Sequence, residues 1–130
     1  MIDIKKIVTI TVILITILLL SYFIGSGFTE NTNVVIHNYS ISEDGKTLTF
    51  ETMTLSSIGY TRGFKDSGGG VKPHYLTFYN TFGGINSPLG SKDKYVLELG
   101  KDDSEIYFNR PGGGYELMLI KDESGKWQRP

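Results

Sequence analysis

The chain has 130 residues, a formal net charge of −1 and no cysteine. Without cysteine there are no disulfides, thiolate metal sites, cysteine nucleophiles or lipidated cysteine anchors. Charges of the two signs are interspersed, which excludes the basic footprint of a nucleic-acid-binding protein.

The N-terminal segment carries Lys5 and Lys6, then an uncharged run from Ile7 to Ile24. As a helix this run spans about 27 Å, close to the hydrocarbon thickness of a bilayer. Its polar members are Thr9, Thr11, Thr16, Ser21 and the Tyr22 hydroxyl, and hydroxyls of this kind can bond within their own helix. Tyr22 and Phe23 lie near the far end, where aromatic rings favour the interface. Lys5 and Lys6 precede the run and Glu30 follows it, so the positive-inside rule places residues 1–6 in the cytoplasm. The lipid bilayer is thus the expected partner of Ile7 to Ile24, in a single-pass plasma-membrane protein. The apolar length favours an uncleaved signal anchor. The alternative is a signal peptide cleaved near Gly27, with Gly25-Ser26-Gly27 as the small-residue exit and the remainder secreted.

Residues 25–33 are small and polar and read as a linker. Residues 34–130, roughly one hundred, suffice for one extracytoplasmic domain with a single core. Val34 to Ile41 alternates, which predicts a strand with Val35, His37, Tyr39 and Ile41 on one face. Glu43-Asp44-Gly45 predicts a turn, and Lys46 to Leu55 the returning strand. Further strands are predicted over Ser57 to Phe64, His74 to Asn80, Lys94 to Leu99, Glu105 to Asn109 and Tyr115 to Lys121, with a short last one at Trp127. Thr81 to Ser91 and Arg110 to Gly114 read as loops. Seven or eight short strands at about ten-residue spacing favour an all-β fold, an antiparallel immunoglobulin-like β-sandwich behind one transmembrane helix. Its predicted core is Leu48, Phe50, Leu76, Phe78, Leu97, Leu99, Ile106, Phe108, Leu117 and Leu119.

Three stretches, HYLTFYNTFGGINSPLGSK (His74 to Lys92), SEIYFNR (Ser104 to Arg110) and the terminal YELMLIKDESGKWQRP, carry a resemblance. They are similar to a group of small exported proteins of Gram-positive bacteria, many of them lipoproteins or membrane-anchored. The resemblance brings no catalytic residue with it. Lipoprotein relatives would have a lipobox cysteine, so here the anchor would be the helix itself.

Motifs for chemistry are weak. Gly68-Gly69-Gly70 with Lys72 lacks the Ser/Thr and the following helix of a phosphate loop, so no nucleotide is expected. His37 and His74 are the two histidines, too few to define a metal site by spacing. Asp102, Asp103 and Glu105 lack the spacing of a calcium loop and read as a solvated turn. No nucleophile elbow is present. Neither a cofactor nor a metal nor a catalytic residue is expected. The candidate binding patch is Tyr60, Arg62, Phe64, Lys72, His74 and Tyr75, because Tyr and Arg combine contact area with a polar tip. The competing reading has these aromatics filling the core and the charges solvating loop ends. The expected function is a non-catalytic, membrane-anchored module for a cell-envelope or protein partner. The alternative is an envelope enzyme such as a hydrolase, which a convergence of Asp, Glu or His with shifted pKa values would mark.

Overall fold

The computed structural model describes residues 3–55, 59–69, 72–84 and 86–130. The apolar run forms a helix, α1 (Ile4–Ser26), longer than the run at both ends. Asp3 caps it by accepting from the Lys5 amide at 3.1 Å. The hydroxyls of Thr9, Thr11 and Thr16 each donate to a carbonyl four residues back at 2.8 Å. These bonds remove the cost of carrying hydroxyls into an apolar medium. No residue of α1 is buried.

The remaining described elements are strands: β1 (Glu30–Asn31), β2 (Val34–Ile41), β3 (Thr47–Thr54), β4 (Thr61–Asp66), β5 (His74–Asn80), β6 (Lys94–Glu98), β7 (Glu105–Asn109), β8 (Tyr115–Lys121) and β9 (Trp127–Gln128). β2, β3 and β6 form one antiparallel sheet; the other six form a second, mixed sheet. Residues 30–31, expected within a linker, pair with Phe78 and Tyr79 of β5. The strand expected from Ser57 begins at Thr61, and positions 57 and 58 lie outside the described residues.

One strand pair corrects the wholly antiparallel, immunoglobulin-like expectation: β5 and β7 are parallel, with His74 opposite Ile106. The chain leaves β5 at one end, crosses the small sheet as β6, and re-enters the large sheet as β7 in the direction of β5. A strand that returns by way of the other sheet does not reverse as a hairpin does.

The two sheets meet through Leu48 and Phe50 of β3, Leu76 and Phe78 of β5, and Ile106 and Phe108 of β7. Phe50 lies 6.4 Å from Phe78 and 6.0 Å from Phe108, ring centre to ring centre. Val34, Ile36, Tyr95, Leu97, Leu99, Leu119 and Trp127 complete this core. Thr61 and Tyr95 join the sheets at one edge through a 2.7 Å hydroxyl bond.

Two bulges change the predicted faces. In β2 the register shifts between Ile36 and Asn38, so Val34 and Ile36 face the core rather than Val35 and His37. Beyond the shift, Tyr39 and Ile41 pack against the core as expected. In β8 the register shifts opposite Ile106 and Tyr107, which pairs Leu119 with Ile106 and Leu117 with Tyr107. Leu117, predicted as core, therefore sits half-buried on the outer side while Met118 packs inward. An extra residue in one strand inverts the alternation past it.

Strand directions give the domain two ends. The starts of β2, β4, β6 and β8 and the ends of β3, β5 and β7 lie at the end nearest α1. The turns at 42–46, 99–104 and 122–126 lie at the far end, with residues 67–69, 72 and 73 between β4 and β5.

Candidate functional site

At the far end a histidine lies between two aspartates. Pro73 precedes β5 and suits a strand start. His74 opens the strand facing inward, with 4% of its surface exposed. Asp66 closes the neighbouring β4, and its Oδ2 lies 2.5 Å from His74 Nδ1. Its Oδ1 accepts from the amides of Gly68 and Tyr75 at 3.0 and 3.2 Å. Asp103, 2% exposed, lies in the loop before β7. Its Oδ2 lies 2.6 Å from His74 Nε2 and accepts from the Gly100 amide at 2.5 Å.

The geometry dictates the protonation. A carboxylate only accepts hydrogen bonds, whereas a neutral imidazole has one donor nitrogen and one acceptor nitrogen. Two carboxylates on one ring are both satisfied only by the imidazolium. Burial alone would lower the pKa of His74, but the hydrogen bonds and charges of Asp66 and Asp103 outweigh it, so the ring titrates above its usual value.

Gly69 comes close to this ring. Gly69 has φ +102°, and a Cβ there would stand 2.9 Å from His74 Cε1. Gly69 also bridges to Lys72 across the turn; positions 70 and 71 lie outside the described residues.

Chemically, the cluster resembles a strut more than a proton shuttle. Both ring nitrogens are engaged, which leaves neither to exchange a proton with a substrate. Among the described residues no group of three or more His, Asp or Glu is arranged to hold a metal ion. His37, at the β2 bulge, is exposed in the other sheet. Asp103 corrects the reading of the acidic cluster as a solvated turn. Asp102 is exposed, Glu105 accepts from the Tyr107 hydroxyl at 2.6 Å, and only Asp103 turns inward.

The predicted patch is distributed over the domain. Tyr60 is exposed at the end near α1, whereas Lys72 is exposed at the far end beside buried His74. Phe64 packs on the core, 5.6 Å from Phe78 and 5.5 Å from Tyr95. Tyr75 lies on the outer face of the large sheet with Tyr107 at 5.2 Å and Tyr115 at 4.9 Å. This tyrosine trio was hidden in sequence, because Tyr107 and Tyr115 stand in strands beyond β5. Sequence reasoning missed both aspartates: Asp66 lies beyond the strand expected to end at Phe64, and the short connection from β4 to β5 is the signal that could have found it, whereas Asp103 required knowing that β7 lies beside β5.

Arg62 belongs to the junction with α1. β4 bulges between Thr61 and Gly63. Arg62 Nε donates to the Gly27 carbonyl at 2.6 Å, just past the helix end. Its guanidinium stands 4.9 Å from the Phe82 ring, 5.2 Å from Phe28 and 5.6 Å from Tyr79. Phe82 stacks on Phe23 at 6.3 Å, and the Gly83 amide donates to Ser26 Oγ at 2.7 Å. Beside this junction a cleft of about 520 Å³ is lined by Tyr22, Gly25, Ser26, Thr29, Asn80 and Gly84.

No protein-family model, curated protein or solved structure matches the chain.

Proposed function

We propose that the chain is a membrane-anchored binding module, with α1 in the bilayer, the N-terminus cytoplasmic and the β domain outside. The observation that carries the reading is α1 itself: long and apolar enough to cross a membrane, with no residue buried against the domain. A helix that is apolar all round needs an apolar surrounding. Lys5 and Lys6 supply the orientation. The resemblance to exported and membrane-anchored proteins of Gram-positive bacteria points the same way.

A non-catalytic role is supported by the state of His74, the one place among the described residues where acidic groups and a histidine converge with a raised pKa. The binding surface proposed is the outer face of the large sheet around Tyr75, Tyr107 and Tyr115. Tyr offers a large rigid contact with a polar tip at small entropic cost, and a cell-envelope component or a protein could use it.

The test uses the full chain with a C-terminal tag, expressed in a Gram-positive host. Intact mass in the membrane fraction, with the tag digested by external protease, is the expected result. A released species beginning near Phe28 would replace the anchor with a cleaved signal peptide. Co-sedimentation of the purified chain with envelope material, lost in Tyr75→Ala, tests the binding face. Equal sedimentation of the variant would refute that face.

A further inference from the structure

The exposed apolar side chains of the β domain are not scattered. Past α1 the exposed large hydrophobics among the described residues are Phe28, Met53, Leu55, Tyr60, Leu89, Tyr115 and Val96. All but Val96 lie at the end nearest α1. Phe28 follows the helix directly. Met53 is next to last in β3, and the Leu55 amide bonds to the Asn33 carbonyl at 2.8 Å. Tyr60 precedes β4, and its carbonyl accepts from Thr81 at 3.1 Å. Leu89 lies in the loop from β5 to β6, and Tyr115 opens β8. The far end shows the opposite character. Among the described residues its turns expose Glu43, Asp44, Lys46, Lys101, Asp102, Glu123 and Lys126, and no large hydrophobic.

A gradient from apolar to charged along one axis suits a body resting at a boundary between apolar and aqueous media. The junction fixes which way the axis points. Besides the Arg62 and Ser26 bonds, the Gly83 amide donates to the Phe23 carbonyl at 3.1 Å and the Asn80 amide to the Thr29 carbonyl at 2.9 Å. The domain is thereby held on the last turns of α1 instead of on a free linker. With Ile7 to Ile24 in the bilayer, Tyr22 and Phe23 stand at the outer interface, and the loop that stacks on Phe23 stands at the same depth. The cleft lined by Tyr22 and Gly84 is also at that level.

We infer that the α1-proximal end of the β domain is itself a lipid-contact surface, seated in the interfacial layer of the outer leaflet through Phe28, Leu55, Tyr60, Leu89 and Tyr115. This inference rests on the reading of α1 as a bilayer helix and adds a second contact to it. Lys92 and Lys94 are offset by Asp93 and Glu30 at this end, so the contact is apolar and does not require anionic lipid. Arg62, bonded to the Gly27 carbonyl and placed against the Phe28, Tyr79 and Phe82 rings, ties this end to the last turn of α1.

The absence of cysteine makes the test direct. Single substitutions Leu55→Cys, Leu89→Cys, Tyr115→Cys, Ser124→Cys and Ile13→Cys in the full chain are labelled with an environment-sensitive fluorophore. The labelled chains are reconstituted in phosphatidylcholine vesicles carrying a quencher on the upper acyl chain. The first three sites are exposed, so the label displaces no core. Expected are blue-shifted emission and quenching at positions 55, 89 and 115, at least several-fold above the quenching at position 124. Quenching at position 13 alone, with the others matching 124, overturns the inference and leaves the anchor intact. No quenching at position 13 overturns the anchor as well. Blue shift without quenching at 55 and 89, growing with the protein-to-lipid ratio, assigns this end to a second copy of the chain and overturns the lipid contact.

Discussion

Removing the His74 ring tests the reading of the far-end cluster as a buried, charged strut. In His74→Ala, Asp103 keeps the Gly100 amide but loses the imidazolium, with 1% of its side chain exposed to water. Breaking one side of a buried ion pair costs about 3–5 kcal/mol, because the remaining charge stays desolvated. Asp66 is 20% exposed and keeps two amide donors, so it adds little. The Gly100 bond moderates the penalty at Asp103, which places the expected loss near the lower figure, about 3 kcal/mol. For a domain of this size that lowers the melting temperature by about 12–24 °C.

The pH dependence supplies a second, independent readout. The folded pKa of His74 is raised, so its contribution is fully present below the unfolded value of about 6.5 and is lost as pH rises through the folded value. The gap between wild type and His74→Ala is therefore widest near pH 6 and narrows toward pH 9. Buried Trp127 reports unfolding of the full chain in detergent micelles by urea titration at several pH values. A variant within about 0.5 kcal/mol of wild type, or a gap that widens above pH 7, would refute the strut.

Three further changes follow from single contacts. Gly69→Ala, with φ +102° and a Cβ against the His74 ring, is expected to cost at least about 2 kcal/mol. Gly112→Ala, with φ +90° and open space around it, costs about 1 kcal/mol from backbone strain alone; urea midpoints compare the two. Leu119→Ala opens the core and costs about 3 kcal/mol, whereas Leu117→Ala on the outer side costs less than about 1.5 kcal/mol; equal losses would place both leucines inside. Arg62→Lys keeps the charge but loses the Nε donor and the flat face against three rings. Faster chymotrypsin cleavage at Phe28, with domain unfolding nearly unchanged, is the expected result.

The strands themselves were legible because period-two alternation and turn chemistry agree along most of the chain. His74–Asn80, Glu105–Asn109 and Tyr115–Lys121 have the boundaries expected of them. Nine of the predicted core positions are buried, and the tenth, Leu117, fails for an identifiable reason. A bulge adds a residue without altering composition, so nothing local separates Leu117 from Leu119 until the pairing of β7 with β8 is known. The same holds for Val35 and Val34 around the β2 bulge. The parallel β5–β7 pair was equally hidden, since it depends on which sheet β6 joins.

Those long-range pairings also decide the character of the polar residues. His74 and Asp66 are brought together by one hairpin, a local event that sequence can suggest. Asp103 becomes a buried anion because β7 docks beside β5 and carries the preceding loop onto the ring. Its neighbour Asp102, chemically identical, remains in water. Tyr75, Tyr107 and Tyr115 come together on one face by the same docking. The β5–β7 pairing thus builds the charged strut on the inner side and the tyrosine trio on the outer side. A substitution that weakens the strut should therefore disturb the tyrosine face, Tyr115 included, through the strands they share, while Phe28 and the 81–84 loop, held separately through Arg62 and Phe82, keep their seat on α1.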